Sequence, residues 1–279
     1  MEEKIIVHAE PITPLYNHFQ LGLKYLNYYF TASNGKGHGI HSPFVFDFII
    51  NVLNNDQPSE CYKPIEHRRA ELLRNKDILD VEDFGAGSAT IRTNQRVVRD
   101  IARSSLKSRK FAQLLYRVAR HYKPATMLEL GTSLGITSSY LASGNQQGTL
   151  YTLEGSAAIA GIAAQTFNAL KIDNVELIEG DFAHSLPPLL KRIGRLDLAF
   201  IDGNHRKQPT LEYFESLLKI SGQSTILIFD DIHWSSEMEA AWSEIMGHPA
   251  VTCTIDLFFI GLVFLNNDFK VKQHFRVRF

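Results

Sequence analysis

Along this chain the spacing of hydrophobic positions changes in a regular way. Phe111, Leu114, Leu115, Val118, Ala119 and Tyr122 recur at helical spacing and mark one face. Pro124 closes that helix. Short β-rich runs follow at 125–130, 149–153, 175–178, 196–201 and 224–229, alternating with helical stretches at 136–143, 156–170, 183–193, 208–220 and 235–246. Such alternation predicts a doubly wound parallel sheet with helices on both faces. The end departs from it. Val251 to Asp256 and Phe258 to Leu265 are β-rich with almost nothing between them, which leaves no room for a crossover helix and makes them an antiparallel hairpin. The residues before Ser105 follow no alternation. Leu15 to Phe30, rich in Tyr, Phe and Leu, reads as a helix. A glycine loop carrying His38 and His41 leads from it into the apolar run Phe44 to Ile50. This predicts a helical cap over 1–108 and a sheet domain over 109–279.

The strand ends carry the chemistry. The first strand runs into Glu129, Leu130, Gly131, Thr132, Ser133, Leu134 and Gly135. Glycine allows positive φ and close backbone approach to a ligand, and ligands of open α/β sheets sit at the carboxyl ends of strands. The spacing E-x-G-x-x-x-G is not the G-x-G-x-x-G of a dinucleotide fold. The second strand ends at Glu154-Gly155, 19 residues beyond Gly135, where a carboxylate suits two ribose hydroxyls. The third ends in Gly180-Asp181-Phe182, the fourth in Asp202-Gly203-Asn204-His205, the fifth in Asp230-Asp231-Ile232-His233-Trp234.

This ordered set resembles the class I S-adenosylmethionine-dependent methyltransferases, whose Rossmann-like seven-stranded sheet also ends in an antiparallel hairpin. The resemblance implies S-adenosylmethionine as cofactor, with Glu129 near its cationic end, the loop Gly131, Thr132, Ser133 and Gly135 around it, and Glu154 and Gly155 at the ribose. It places Asp181 by the adenine amino group and Phe182 against the ring. Asp202, Asp230 and Asp231 offer enough oxygens for Mg²⁺ or another divalent cation, and His205 is spaced to face the same cavity as base. The layout is similar to the metal-dependent small-molecule O-methyltransferases, closest to the macrolide-sugar branch. The catechol and caffeoyl-coenzyme A enzymes carry an Asp-Asn pair where this chain has Asp230-Asp231. Other readings stay open: solvated acids with no metal, a structural His205, and His233 and Trp234 as helix-entry residues.

Composition adds limits. The chain has 279 residues, is 44% hydrophobic and 21% charged, and carries a net charge of −1, which gives no whole-chain argument for nucleic acid or a membrane. Two cysteines suit a reducing compartment, and the acidic start reads as no secretory signal, so a cytoplasmic protein is expected. One local feature stands apart. Between Ala86 and Lys123 lie ten Lys or Arg and one acid, and Arg92, Arg96, Arg99, Arg103, Lys107 and Lys110 would form one basic stripe on a continuous helix. It reads as a solvated face or as a surface for an anionic acceptor. A second glycine run, Val81 to Ser88, reads as a turn in the cap. The function expected is methyl transfer to an oxygen of a small, potentially anionic molecule, with metal assistance open. An RNA methyltransferase and a catalytically inactive adenosyl-binding module are the alternatives, and a homodimer is compatible.

Overall fold

The computed structural model describes residues 15–81, 95–267 and 269–279; most of the second glycine run and Arg92 of the basic stripe lie outside them. The chain begins with α1 (His18–Thr31), α2 (Pro43–Phe48, continued by a π-helical turn at Ile49–Leu53) and α3 (Tyr62–Leu72). An antiparallel ribbon of β1 (Ile78–Asp80) and β2 (Gln95–Val97) leads into α4 (Val98–Ser105) and α5 (Arg109–Tyr122). Strands and helices then alternate: β3 (Thr126–Leu130), α6 (Ile136–Gly144), β4 (Thr149–Glu154), α7 (Ala157–Leu170), β5 (Val175–Glu179), α8 (Phe182–Ile193), β6 (Leu196–Ile201), α9 (Lys207–Leu218), β7 (Ser221–Asp230) and α10 (Ser236–Gly247). Three strands complete the chain: β8 (Cys253–Asp256), β9 (Ile260–Phe264) and β10 (Gln273–Arg276).

The main sheet has the order β10-β8-β9-β7-β6-β3-β4-β5. Strands β3 to β7 are parallel, and β9 runs antiparallel to both β7 and β8. The doubly wound sheet and its hairpin are those expected from the sequence. The strand number is corrected from seven to eight, because β10 adds parallel to β8 at the edge. Gln273, His274, Phe275 and Arg276 bury none of their side chains fully, so the run carries little apolar signal.

Strand alternation divides the core. Met127, Leu198, Phe200 and Ile228 face α5 and α6, while Leu128, Leu130, Ala199 and Phe229 face α8, α9 and α10. Helix α5 buries Phe111, Leu114, Leu115 and Val118 and ends at Lys123 in the left-handed conformation, just before Pro124. The N-terminal helices share these cores. Val45, Phe48 and Ile49 join the α5 side of the sheet. Ile65 and Leu72 of α3 pack with Val98, Ile101, Ile136 and Tyr140. Among the described residues no helix is long and apolar enough to cross a membrane.

The basic stripe does not form. Arg96 lies in β2, Arg99 and Arg103 lie on α4 beside Asp100, and Lys110 on α5 stands over the ring of Phe279. The chain turns extended at Leu106 and Ser108, so α4 and α5 are separate helices, and Lys107 between them points inward rather than to solvent.

Helix α1 is fastened through Glu239 of α10. Its carboxylate accepts from Tyr16 Oη at 2.8 Å and Lys24 Nζ at 2.9 Å and meets His233 Nδ1 at 3.1 Å, while His233 Nε2 meets Asp256 at 2.9 Å. Tyr28 Oη donates to the carbonyls of Val277 and Asp256. His233 is thus a fastening residue.

A second carboxyl is buried in the sheet itself. Glu129 is fully inaccessible, accepts from Ser138 Oγ and, at 2.6 Å, from Thr152 Oγ1, and has one oxygen without a partner. Burial, against the two hydroxyl bonds, pushes its carboxyl up to about 8.

Two outcomes follow from these carboxyls. Glu239→Ala should loosen α1 at a cost of roughly 1–3 kcal/mol, the scale of charge-assisted bonds. Amide exchange should then accelerate in α1 and not in β3–β7; unchanged α1 protection would assign the fastening elsewhere. For Glu129 the folded state holds its proton more tightly than the unfolded chain does. Its contribution is therefore intact below the ordinary glutamate value and is lost as pH rises towards about 8. Urea titrations at several pH values between 5 and 9 should show a shallower loss of stability for Glu129→Gln than for the wild type. Parallel slopes would contradict a proton-bearing Glu129.

Candidate active site

The carboxyl edge of the parallel strands opens into a cavity of about 740 Å³. Its first wall is the turn after β3. Gly131 sits at φ +100°, its N–H donates to Leu153 O at 3.0 Å, and a Cβ there would overlap the carbonyl oxygen of Asp202. Asp202 N–H in turn donates to Leu130 O at 2.9 Å, which holds the ends of β3 and β6 together. Glu154 at the end of β4 accepts from Ser133 N–H at 2.8 Å and Ser156 N–H at 3.1 Å, bridging two loops. Burial raises its pKa against the bonds from Ser156 and Ser133.

Gly131, Ser133, Glu154, Gly155, Asp181 and Phe182 line this part of the cavity. Glu129, Thr132 and Gly135, the other expected cofactor residues, are not among its lining. Side chains alternate along β3, so Glu129 faces α6 with Met127 instead of reaching over the edge. Thr132 bonds Thr152 at 2.6 Å, and Gly135, at φ +80°, begins α6 against the ring of Phe167.

The other part of the cavity gathers Asp202, His205, Asp230, Asp231 and Trp234 with Lys107, Phe111 and Phe259. The sequence-expected Asp202, His205, Asp230 and Asp231 are brought to one place because β6 and β7 are parallel neighbours. Lys107 was not read as a site residue. Its Nζ pairs directly with Asp230 Oδ2, and the remaining oxygen of Asp230 is buried without a partner. His205 Nε2 lies 3.4 Å from Asp202 Oδ1. Of the seven non-glycine residues at positive φ among the described residues, Ser133, Asn204, His205 and Asp231 line this cavity, so unfavourable backbone is concentrated there.

The charges are unequal. Burial would raise Asp202, but the ammonium of Lys107 and the imidazole of His205 outweigh it and hold its carboxyl well below the usual range. Burial and the neighbouring Asp202 and Asp231 push Asp230 up. Burial likewise raises Asp231, against Lys107 and His205. Burial opposes charge on His205, yet Asp202 and Asp231 raise its pKa above the ordinary histidine value.

Comparison with known proteins agrees with this geometry. Residues 128–232 match a family model described as a methyltransferase domain. A catechol O-methyltransferase of Niastella koreensis is 29% identical over 159 residues, which span 56% of this chain and 69% of the relative. The fold is that of an O-methyltransferase from Bacillus cereus solved with SAH, at 20% identity, TM-score 0.52 and coverage of 76% of this chain and 93% of that one. It is also that of the SAH-bound methyltransferase PaMTH1 of Podospora anserina, at 14% identity, TM-score 0.54 and coverage of 93% and 100%. The matched methyltransferase domain spans the strand ends that build the cavity, and the proteins this chain resembles in sequence and fold are S-adenosylmethionine-dependent methyltransferases, O-methyltransferases among them.

Proposed function

We propose that the cavity binds S-adenosylmethionine along Gly131, Ser133, Glu154 and Phe182 and passes its methyl group to an oxygen of a small hydroxyl-bearing acceptor beside His205. The observation that supports this most is the union, in one cavity, of a glycine turn with a carboxylate at ribose spacing and a group of acids around an imidazole. The residues present fit the donor. No side chain at Gly131 or Gly155 fills the wall, and Glu154 keeps acceptor capacity beyond the two amides it already receives.

The donor supplies a methyl carbon activated by a sulfonium, so the protein's tasks are to position the acceptor and remove its proton. Asp202 beside Nε2 favours the tautomer with its proton on that nitrogen, leaving Nδ1 as the base. With the donor bound, its sulfur would keep the old bonding pair as the methyl carbon is transferred, and Nδ1 of His205 would take the proton that the acceptor oxygen gives up.

A divalent ion fits these residues poorly. Asp202, Asp230 and Asp231 carry the right oxygens, but the ammonium of Lys107 already lies against Asp230. Among the described residues no three or more His, Cys, Asp or Glu side chains are grouped to hold an ion. No step here runs through a metal.

Calorimetry with S-adenosylhomocysteine, followed by labelled methyl transfer to a panel of hydroxyl acceptors, tests the reading. Glu154→Ala should weaken S-adenosylhomocysteine by roughly 1–3 kcal/mol, and unchanged affinity would remove Glu154 from the cofactor site. Once an acceptor is found, His205→Ala should lose around 10²–10⁴ in rate. Because the base is neutral imidazole with a raised pKa, wild-type turnover should climb as pH passes through that value. A variant with the wild-type rate and pH profile would assign the proton to another group.

A further inference from the structure

Lys107 sits where a charged side chain is costly unless it is used. Its side chain is 13% exposed and its partner Asp230 only 1%. Two more carboxylates, Asp202 and Asp231, line the same cavity, and the second oxygen of Asp230 is buried with no partner. Asp230 is thus buried between the ammonium of Lys107 and the neighbouring carboxyl of Asp202.

The placement of Lys107 is also built. Its backbone carbonyl accepts from Arg69 Nη1 at 2.8 Å, Arg69 Nε donates to Glu66 at 3.0 Å, and Glu66 accepts from Tyr140 Oη at 2.8 Å. On the other side Ser105 Oγ is 2.7 Å from Ser133 Oγ, which joins the Lys107 turn to the glycine loop. The turn is thus held between α3 and the loop assigned to the methyl donor.

We propose that Lys107 is the resident cation of the acceptor subsite: its ammonium, paired with Asp230 in the cavity that Asp202 and Asp231 also line, supplies the positive charge a divalent ion would otherwise bring, and it holds the acceptor oxygen there without metal. The role at the acceptor rests on the methyl-transfer reading; the cation position does not. An ammonium has three donors. One is committed to Asp230, and the others remain to bind an acceptor oxygen and to stabilise negative charge as its proton leaves.

The test is titration with Mn²⁺ alone, read by electron paramagnetic resonance, on the full chain and on Lys107→Ala and Asp230→Asn. Affinity for S-adenosylhomocysteine reports separately on the donor site. The wild type should show no Mn²⁺ binding that Asp230→Asn abolishes. Lys107→Ala should gain such binding by roughly 100-fold or more, the scale on which an uncompensated buried carboxylate seeks a cation. Asp230-dependent Mn²⁺ binding by the wild type would overturn the proposal. So would a folded Lys107→Ala that binds S-adenosylhomocysteine but gains no Mn²⁺, since the acids would then form no cation position. If Lys107→Ala does not fold, Lys107→Gln takes its place, since a neutral side chain of similar length also leaves the acids without their cation, and the same gain is expected of it. Loss of S-adenosylhomocysteine binding by the wild type would instead count against the methyl-transfer reading and leave the Mn²⁺ result intact.

Discussion

Crowding of carboxylates at one sheet edge is the constraint that organises this protein. Parallel strands deliver their ends to the same side, and here those ends carry Glu129, Glu154, Asp202, Asp230 and Asp231. Like charges in a partly dry space raise one another's pKa and oppose folding. Each acid is handled differently. Glu129 is turned under the loop onto hydroxyls and retains its proton. Glu154 is met by backbone amides. Asp202 is held ionised by Lys107 and His205, and Asp230 is paired with Lys107. The same devices that make the edge tolerable sort its acids into supporting and working groups.

The neutralising cation comes from outside the alternating part of the chain, and this explains why the N-terminal helices share cores with the sheet. Lys107 is only as well placed as the turn between α4 and α5. That turn is held by α3 through Arg69, and α3 packs on α6 through Ile65, Leu72 and Tyr140. Two independent anchorages result, one for α3 beside the cavity and one for α1 on Glu239 and His233.

The alternating half was legible because its signals are local. A strand followed by Gly131 or an acid, then a helix, can be read from periodicity and turn chemistry within a few residues, and most helix and strand limits fall within three residues of those expected. Lys107 was not legible for the opposite reason. Its spacing with Arg103 and Lys110 imitates a solvated helix face, while its partner lies 123 residues further along. Nothing local marks a chain that turns extended at Leu106 and buries Lys107. The burial of Glu129 was not legible for a related reason: its place at a strand end says nothing of the face its side chain takes, which alternation decides.

A fixed ammonium and a divalent ion make different demands on an acceptor. An ion with several open positions can grip two oxygens of a ligand and orient it by coordination alone. An ammonium committed to Asp230 offers fewer directed bonds and a single charge. Orientation must then come from the walls. Phe111, Trp234 and Phe259 line the cavity with the acidic group, and Tyr213 and Phe182 line the part proposed for the donor. Flat apolar walls position a ring or a planar group more readily than a flexible chain, because they bury area without costing the ligand much conformational freedom. On the proposed reading selectivity is divided: the cation and the imidazole would recognise the oxygen that reacts, and the aromatic walls the body that carries it.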